Sequence, residues 1–273
     1  VVTYHSDIVR QQRLLQAYRP LLHTTLRRAA RIIATSAPYI RSSPFLPRYA
    51  GKCRVVPLSV DPARFGNVNP ELIQAIRAQH GLDQDQHVAL SVGVLRYYKG
   101  LHILLDAMRE IDAVLLVVGD GPERERLAQV AGEYGVAERV RFAGKAPDDQ
   151  LPAYYHAADL FVLASHLRAE AFGIVLLEAM AAGLPVISTE LGTGTSEVNQ
   201  HGVTGFVVPP DDPRALARAV QSVLHNASLR EYMGQQAQQR ILTHYTHDRM
   251  IEGTLKVYEE ACSLYHASGK RKL

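Results

Sequence analysis

Short apolar runs alternate with stretches of helical periodicity along most of this chain. The runs 31-RIIATS-36, 53-CRVVPLSV-60, 88-VALSVGVL-95, 113-AVLLVVGDG-121, 140-VRFAGK-145, 159-DLFVLAS-165, 185-PVIST-189 and 205-GFVVP-209 are rich in Val, Ile and Leu. Between them, segments such as 101-LHILLDAMREI-111 and 213-PRALARAVQSVLHNA-227 carry apolar residues at 3.6 spacing. Near-continuous apolar strands separated by amphipathic helices predict parallel sheets covered on both faces, a doubly wound α/β fold. Residues 66–226 supply a full Rossmann-like set of strands, whereas residues 1–60 supply about half of one. The stretch 57-PLSVDPARFGNVNP-70, with its prolines and turn residues, predicts an interdomain linker, and 228–265 predicts a helical tail before a frayed basic end at 269-GKRKL-273.

Composition narrows the function classes. The 273 residues are 47% hydrophobic and 21% charged, with a net charge of only +3. That balance fits a globular domain and offers little to a nucleic acid. No apolar run approaches the roughly 18 residues of a membrane span. Two cysteines, Cys53 and Cys262, do not make a disulfide framework. The chain opens at Val1-Val2-Thr3-Tyr4 without a Met, as though inside a strand, which leads to the expectation of a fragment lacking its N-terminal part.

The candidate chemistry lies at strand ends, where open parallel sheets bind ligands. In 91-SVGVLRYYKG-100, Arg96 and Lys99 stand beside a helix start near Gly100, an arrangement suited to a pyrophosphate. A solvated charged loop reads as well. No GxGxxG or Walker loop is present. In 168-RAEAFGIVLLEAMAAGLPVIST-189, Glu170 precedes a helix and Glu178 sits inside it among apolar neighbours. Gly173 lets a phosphate approach backbone N–H groups. Glu178 shares a helix face with Ile174, one turn deeper, where a ribose would reach. Alternatively Glu178 faces solvent and Glu170 merely complements the helix dipole. His5 ends a predicted strand in 1-VVTYHSD-7. His244 and His247 lack a supporting cluster, so no metal site is expected. Asp148-Asp149 and Asp211-Asp212, beside prolines, are expected to cap helices.

Taken together, Lys99-Gly100, Glu170-x-Phe172-Gly173-x4-Glu178-Ala179-Met180-Ala181-x-Gly183-x-Pro185-Val186 and 202-GVTGFVVPPDD-212 resemble the family-4 retaining glycosyltransferases, the "glycosyl transferases group 1". The segments 1-VVTYHSDIVRQ-11 and 55-VVPLSVDPARF-65 are also similar to that family. The resemblance implies two facing Rossmann-like domains, the GT-B architecture, with the N-terminal one incomplete here. Residues 1–62 would be the back half of the acceptor domain, 63–245 the nucleotide-sugar domain, and 246–273 a helix crossing back. It also implies roles. His5 would lie near the reacting carbon, Arg96 and Lys99 at the diphosphate, Glu170 at the transferred sugar and Glu178 at the ribose. The backbone at Phe172 and Gly173 would meet the distal phosphate, Ala146 and Asp148 would border the base, and Gly93, Ala171 and Ile174 would complete the donor site. Where the family writes Gly-Arg-Leu this chain has 93-GVL-95, so its Arg is replaced by Val94, and Arg96 is long enough to substitute.

The activity so implied is hexosyl transfer without a cofactor or metal, with mannose from GDP-mannose preferred because Asp148 could accept from the guanine N1–H and N2–H₂. A UDP-sugar enzyme of the same family is the first alternative. A nucleotide-binding fragment without turnover and a Rossmann oxidoreductase are the others. The expected partners are a GDP- or UDP-sugar and a saccharide or lipid-linked acceptor in polysaccharide or lipopolysaccharide synthesis, with no nucleic acid. Peripheral contact of the N-terminal domain with the inner face of the membrane and a cytoplasmic location are expected too.

Overall fold

The computed structural model describes residues 1–8 and 12–267; the basic end at 269–273 and part of the 1–11 segment therefore lie outside the described residues. The chain begins with β1 (Val2–Tyr4), α1 (Gln12–Arg28), β2 (Ile32–Ala34), α2 (Ala37–Ser42) and β3 (Cys53–Val55). These strands form a parallel three-stranded sheet in the order β1-β2-β3. Then come α3 (Pro62–Gly66), α4 (Pro70–Gln79), β4 (Val88–Val92), α5 (Leu101–Ala107), β5 (Val114–Val118), α6 (Arg124–Glu133) and β6 (Val140–Gly144). The chain continues through α7 (Leu151–His156), β7 (Leu160–Leu163), α8 (Ile174–Ala181), β8 (Val186–Thr189), α9 (Thr195–Val198) and β9 (Gly205–Val208). It ends in α10 (Pro213–Leu224), α11 (Ala227–His244) and α12 (His247–Ala267). The architecture is that of two Rossmann-like α/β layers.

The second sheet is parallel and six-stranded, in the order β6-β5-β4-β7-β8-β9. From β4 the chain winds outward through β5 and β6, then returns to lay β7 on the other side of β4. Strand order thus reverses between β4 and β7, and a crevice opens beyond the C-terminal ends of neighbouring strands at such a point. Every residue of β5 and β7 is buried, as the unbroken apolar runs require when helices cover both faces. One core layer packs α8 against Phe65, Leu90, Val118 and Phe161; the other holds Leu104, Leu115, Val162 and Val220.

The 57–70 stretch is more structured than a linker. Asp61 caps α3 by accepting from Ala63 N–H at 3.0 Å, Asn69 caps α4 through Glu71 N–H at 3.0 Å, and Pro62 and Pro70 occupy first-turn positions. A proline there loses no hydrogen bond and presets φ. The helical tail is two helices. They part at Tyr245, which is buried, contacts Phe172 edge-on at 6.2 Å and accepts from Val60 N–H at 3.0 Å. Beyond that break α12 runs back to the first sheet, where Val257 joins Ile33 and Val56 and Glu260 accepts from Arg31 and Arg54, each at 2.8 Å.

Among the acidic pairs, Asp212 caps α10 by accepting from Ala215 N–H at 2.8 Å. Asp148 and Asp211 do not cap. Asp148 pairs with Arg64 at 3.0 Å and Asp211, at φ 57°, meets His166 Nδ1 at 2.9 Å, because each faces a side chain on another segment.

Gly100 closes the turn between β4 and α5 at φ 65°, where a Cβ would stand 1.9 Å from the Ala164 carbonyl oxygen. Backbone, unlike a side chain, cannot step aside. Gly100→Ala is therefore expected to cost about 2–4 kcal/mol, whereas Gly132→Ala, exposed in α6 with nothing within 4 Å, should gain up to about 1 kcal/mol. Thermal melts of the two variants check this; similar melting temperatures for both would contradict it.

Candidate active site

Two carboxylates inside apolar surroundings need partners. Glu170 and Glu178 both find them within the chain. Lys99, in the turn after β4, donates from Nζ to Glu170 Oε2 at 2.6 Å, across the point where the strand order reverses. Both side chains are largely enclosed, at 14% and 11% exposure, so the pair is a desolvated one. Ser165, just beyond β7, donates to the same oxygen at 3.0 Å, and Thr193 donates to the Glu170 carbonyl at 2.9 Å. Gly93, which faces the Lys99 amine, and Val94 line a small crevice with Leu95, Lys99 and Leu163. Removing one partner of a buried pair leaves an unpaired charge, typically at a cost of about 3–5 kcal/mol.

Glu178 lies on the second turn of α8. Tyr155, fully buried in α7, donates its hydroxyl to Glu178 Oε2 at 2.6 Å. Burial, then the adjacent carboxylate, pushes the Tyr155 phenol well above its ordinary pKa, so it remains a donor. Burial also raises the Glu178 carboxyl, partly opposed by the Tyr155 hydrogen bond and by Arg64. The helix itself starts at Gly173, φ 79°, with Phe172 buried beneath. Among the described residues, no protein acceptor meets the N–H groups of Gly173, Ile174 and Val175. They form a ready donor set for an anion.

Several expected site residues gather here and others do not. Lys99 and Glu170 touch. Phe172, Gly173, Ile174 and Glu178 are contiguous with them through α8, and Ala171 packs against the core of the first sheet. Arg96 is exposed, and among the described residues it makes no ion pair. Ala146 packs on the core near α7, while Asp148 is 91% exposed and engaged with Arg64 of α3. His5 stands exposed at the end of β1, in the wall of a cavity that also touches Tyr4, Ile8 and Phe45. Glu178 is half-buried and bonded to Tyr155 rather than free in solvent, and Glu170 is paired with Lys99. Sequence reasoning missed Tyr155 and Arg168. Tyr155 meets Glu178 only through tertiary packing of α7 on α8, which no local spacing signals. Arg168 stands two residues before Glu170 and reaches Asp7, in the segment that also carries His5.

Comparison with known proteins gives this geometry a family. The pattern described as "Glycosyl transferases group 1" matches residues 73–240, which include both glutamates and Lys99. Over 240 residues the chain is 42% identical to the D-rhamnosyltransferase WbpZ of Pseudomonas aeruginosa, covering 88% of this chain but 62% of that protein. Over 270 residues it is 37% identical to the O-antigen chain mannosyltransferase C of Escherichia coli, covering 94% of this chain and 68% of that protein. The solved sucrose-phosphate synthase from Thermosynechococcus elongatus superposes with a TM-score of 0.83 at 29% identity, over 96% of this chain and 68% of that one.

The raised Glu178 pKa has a signed consequence. A carboxyl whose folded pKa exceeds its unfolded value favours the fold below the ordinary range near 4.5 and loses that contribution as pH rises through the folded value. Glu178→Gln keeps an acceptor for Tyr155 without the charge. It should therefore melt higher than the parent at pH 7, with the difference shrinking as pH falls toward 4.5 and levelling off below it. Melting curves across that range check it, and a difference that grows on acidification would contradict it.

Proposed function

The chain belongs to the glycosyl transferases group 1 family, and we propose that it transfers a hexosyl group from a nucleotide sugar to a glycan or lipid-linked saccharide. The observation that carries this reading is the Lys99–Glu170 pair at the reversal of strand order, with Glu170 on the loop that leads into α8, whose second turn carries Glu178. We assign the diphosphate to Lys99 and to the free N–H groups at the start of α8, with Arg96 reaching in from outside. Cationic and dipolar donors aimed at a departing diphosphate stabilise the charge that develops as the glycosidic bond opens. They make the reaction independent of a metal. The ribose falls to Glu178, whose carboxylate Tyr155 holds by one oxygen, leaving the other to accept from ribose hydroxyls. Ala146 and Asp148 border the base, and Glu170 passes from Lys99 to the sugar when the diphosphate claims the amine. His5 faces the reacting carbon from the acceptor side.

Residues 1–62 then serve the acceptor, 63–245 the donor, and 246–273 the return to the first sheet. The cavity of about 380 Å³ lined by Asp7, Leu15, Gln16, Arg19, Phe45 and Arg168 supports an acceptor on that side. The two relatives are named for mannose and for D-rhamnose, which is mannose without its 6-hydroxyl. We therefore favour a donor of manno configuration, GDP-mannose first, with a UDP-sugar as the second reading. Peripheral contact with a membrane surface fits a lipid-linked acceptor; among the described residues no helix is long and apolar enough to cross a membrane.

Ligand-induced thermal shifts should rank the nucleotides, since stabilisation follows RT ln(1 + [L]/Kd): GDP and GDP-mannose are expected to raise the melting temperature more than UDP or ADP. A larger shift with UDP would transfer the assignment to UDP-sugars, and no shift with any of them would remove the reading. Transfer from a labelled donor should survive excess EDTA; abolition by chelator and rescue by Mg²⁺ would return the diphosphate to a metal. Lys99→Met should weaken nucleoside diphosphate binding by about 10²-fold while leaving the free nucleoside nearly unaffected, and equal losses would contradict the assignment.

A further inference from the structure

Asp7 is a buried carboxylate that lines the cavity on the acceptor side but to which the proposed reaction assigns no step. Its side chain is 3% exposed, yet it gathers an unusual number of donors. Tyr4 and Ser43 each donate to Oδ1 at 2.8 Å. Arg168 donates to Oδ2 from Nε at 3.1 Å and from a terminal nitrogen at 2.7 Å. The Asp7 backbone N–H is itself held by the Tyr39 hydroxyl at 2.5 Å, and the Arg168 guanidinium stacks over the Tyr39 ring at 5.4 Å. Burial and the Asp7 charge hold both phenols well above their ordinary pKa, so they stay protonated.

The connections matter more than the burial. Asp7 follows β1 and stands two residues after His5. Arg168 follows β7 and stands two residues before Glu170. Among the described residues, this is the ion pair that joins the first sheet to the strand-end loops of the second. The other cross-links there are single neutral-donor bonds, Ser42 Oγ to the Gly192 carbonyl at 2.5 Å and Ala37 N–H to the Glu197 carboxylate at 3.0 Å. A planar guanidinium on one carboxylate, held from behind by one phenol and a serine, with the second phenol on the backbone N–H, fixes both distance and orientation.

We propose that Asp7 and Arg168 are positioning residues: a latch between the two sheets that sets the separation of His5 from Glu170 across the crevice. The proposal rests on the transferase reading for its catalytic meaning, but its geometry does not. A displacement of about 1 Å between reacting groups can cost on the order of 10²-fold in rate. The latch touches neither Lys99 nor Glu178, so donor binding should be indifferent to it.

Two measurements test it separately. The first needs no turnover. Spin labels go on the native, exposed Cys262 of α12, which packs on the first sheet, and on Glu125→Cys of α6, which covers the second. Arg168→Ala and Asp7→Asn should lengthen or broaden the distance distribution, and Arg168→Lys should restore part of it. A distribution unchanged in both variants would overturn the latch. The second is kinetic. Both variants should lower kcat by about 10²-fold while donor KM and nucleoside diphosphate affinity stay within about twofold; a raised KM with unchanged kcat would overturn the positioning role. Asp7→Asn keeps acceptors for Tyr4 and Ser43 and so guards against simple misfolding of Arg168→Ala. If the parent protein moves no sugar while the label distances respond as expected, the transferase reading falls and the latch stands.

Discussion

The Lys99–Glu170 pair is the constraint around which the second sheet's chemistry is arranged. Each partner comes from the loop after a central strand, and those two strands are neighbours only because the winding reverses between them. An isolated ammonium or carboxylate at that depth would be too costly to keep charged. The pair gives each a partner at the point where the strand order reverses. Its partners cannot drift, because Gly100 packs its backbone directly against Ala164, and Ser165 and Thr193 hold Glu170 from two sides.

Glu178 obeys the same physics with a different solution. Burial pushes its carboxyl upward, and its partner, a neutral phenol, offsets only part of that. A group that weakens the fold when ionised is the kind that binding sites carry, which agrees with the ribose role proposed for Glu178.

Much of this was legible in the sequence, for identifiable reasons. The strands of the second sheet are visible as apolar runs, most clearly the central β4, β5, β7 and β8, because burial on both faces erases polar alternation. The crevice follows from strand order, and Glu170 and Glu178 stand out because carboxylates are anomalous among Leu, Met and Ala. What escaped were pairings across the chain. Nothing near Glu178 names Tyr155, 23 residues earlier, and nothing near Asp7 names Arg168, 161 residues later. The prolines of 57–70 mark the stretch between the two sheets but hide the two helices that start in it, because the same residue types that break helices also begin them, and only the Asp61 and Asn69 caps tell the cases apart.

The return of α12 to the first sheet bears on how the protein is made. Arg31 and its partner Glu260 are separated by 229 residues. At roughly 5–20 residues per second, a ribosome would need about 10–45 s to supply the second after the first. During that interval the first sheet waits with Ile33 and Val56 uncovered, while the six-stranded sheet, whose strands are contiguous in the chain, can close behind it. The order of synthesis and the order of completion are thus inverted. The first sheet, made before the six-stranded one, is the later of the two to be sealed, and its uncovered strands are the kind of surface a chaperone binds.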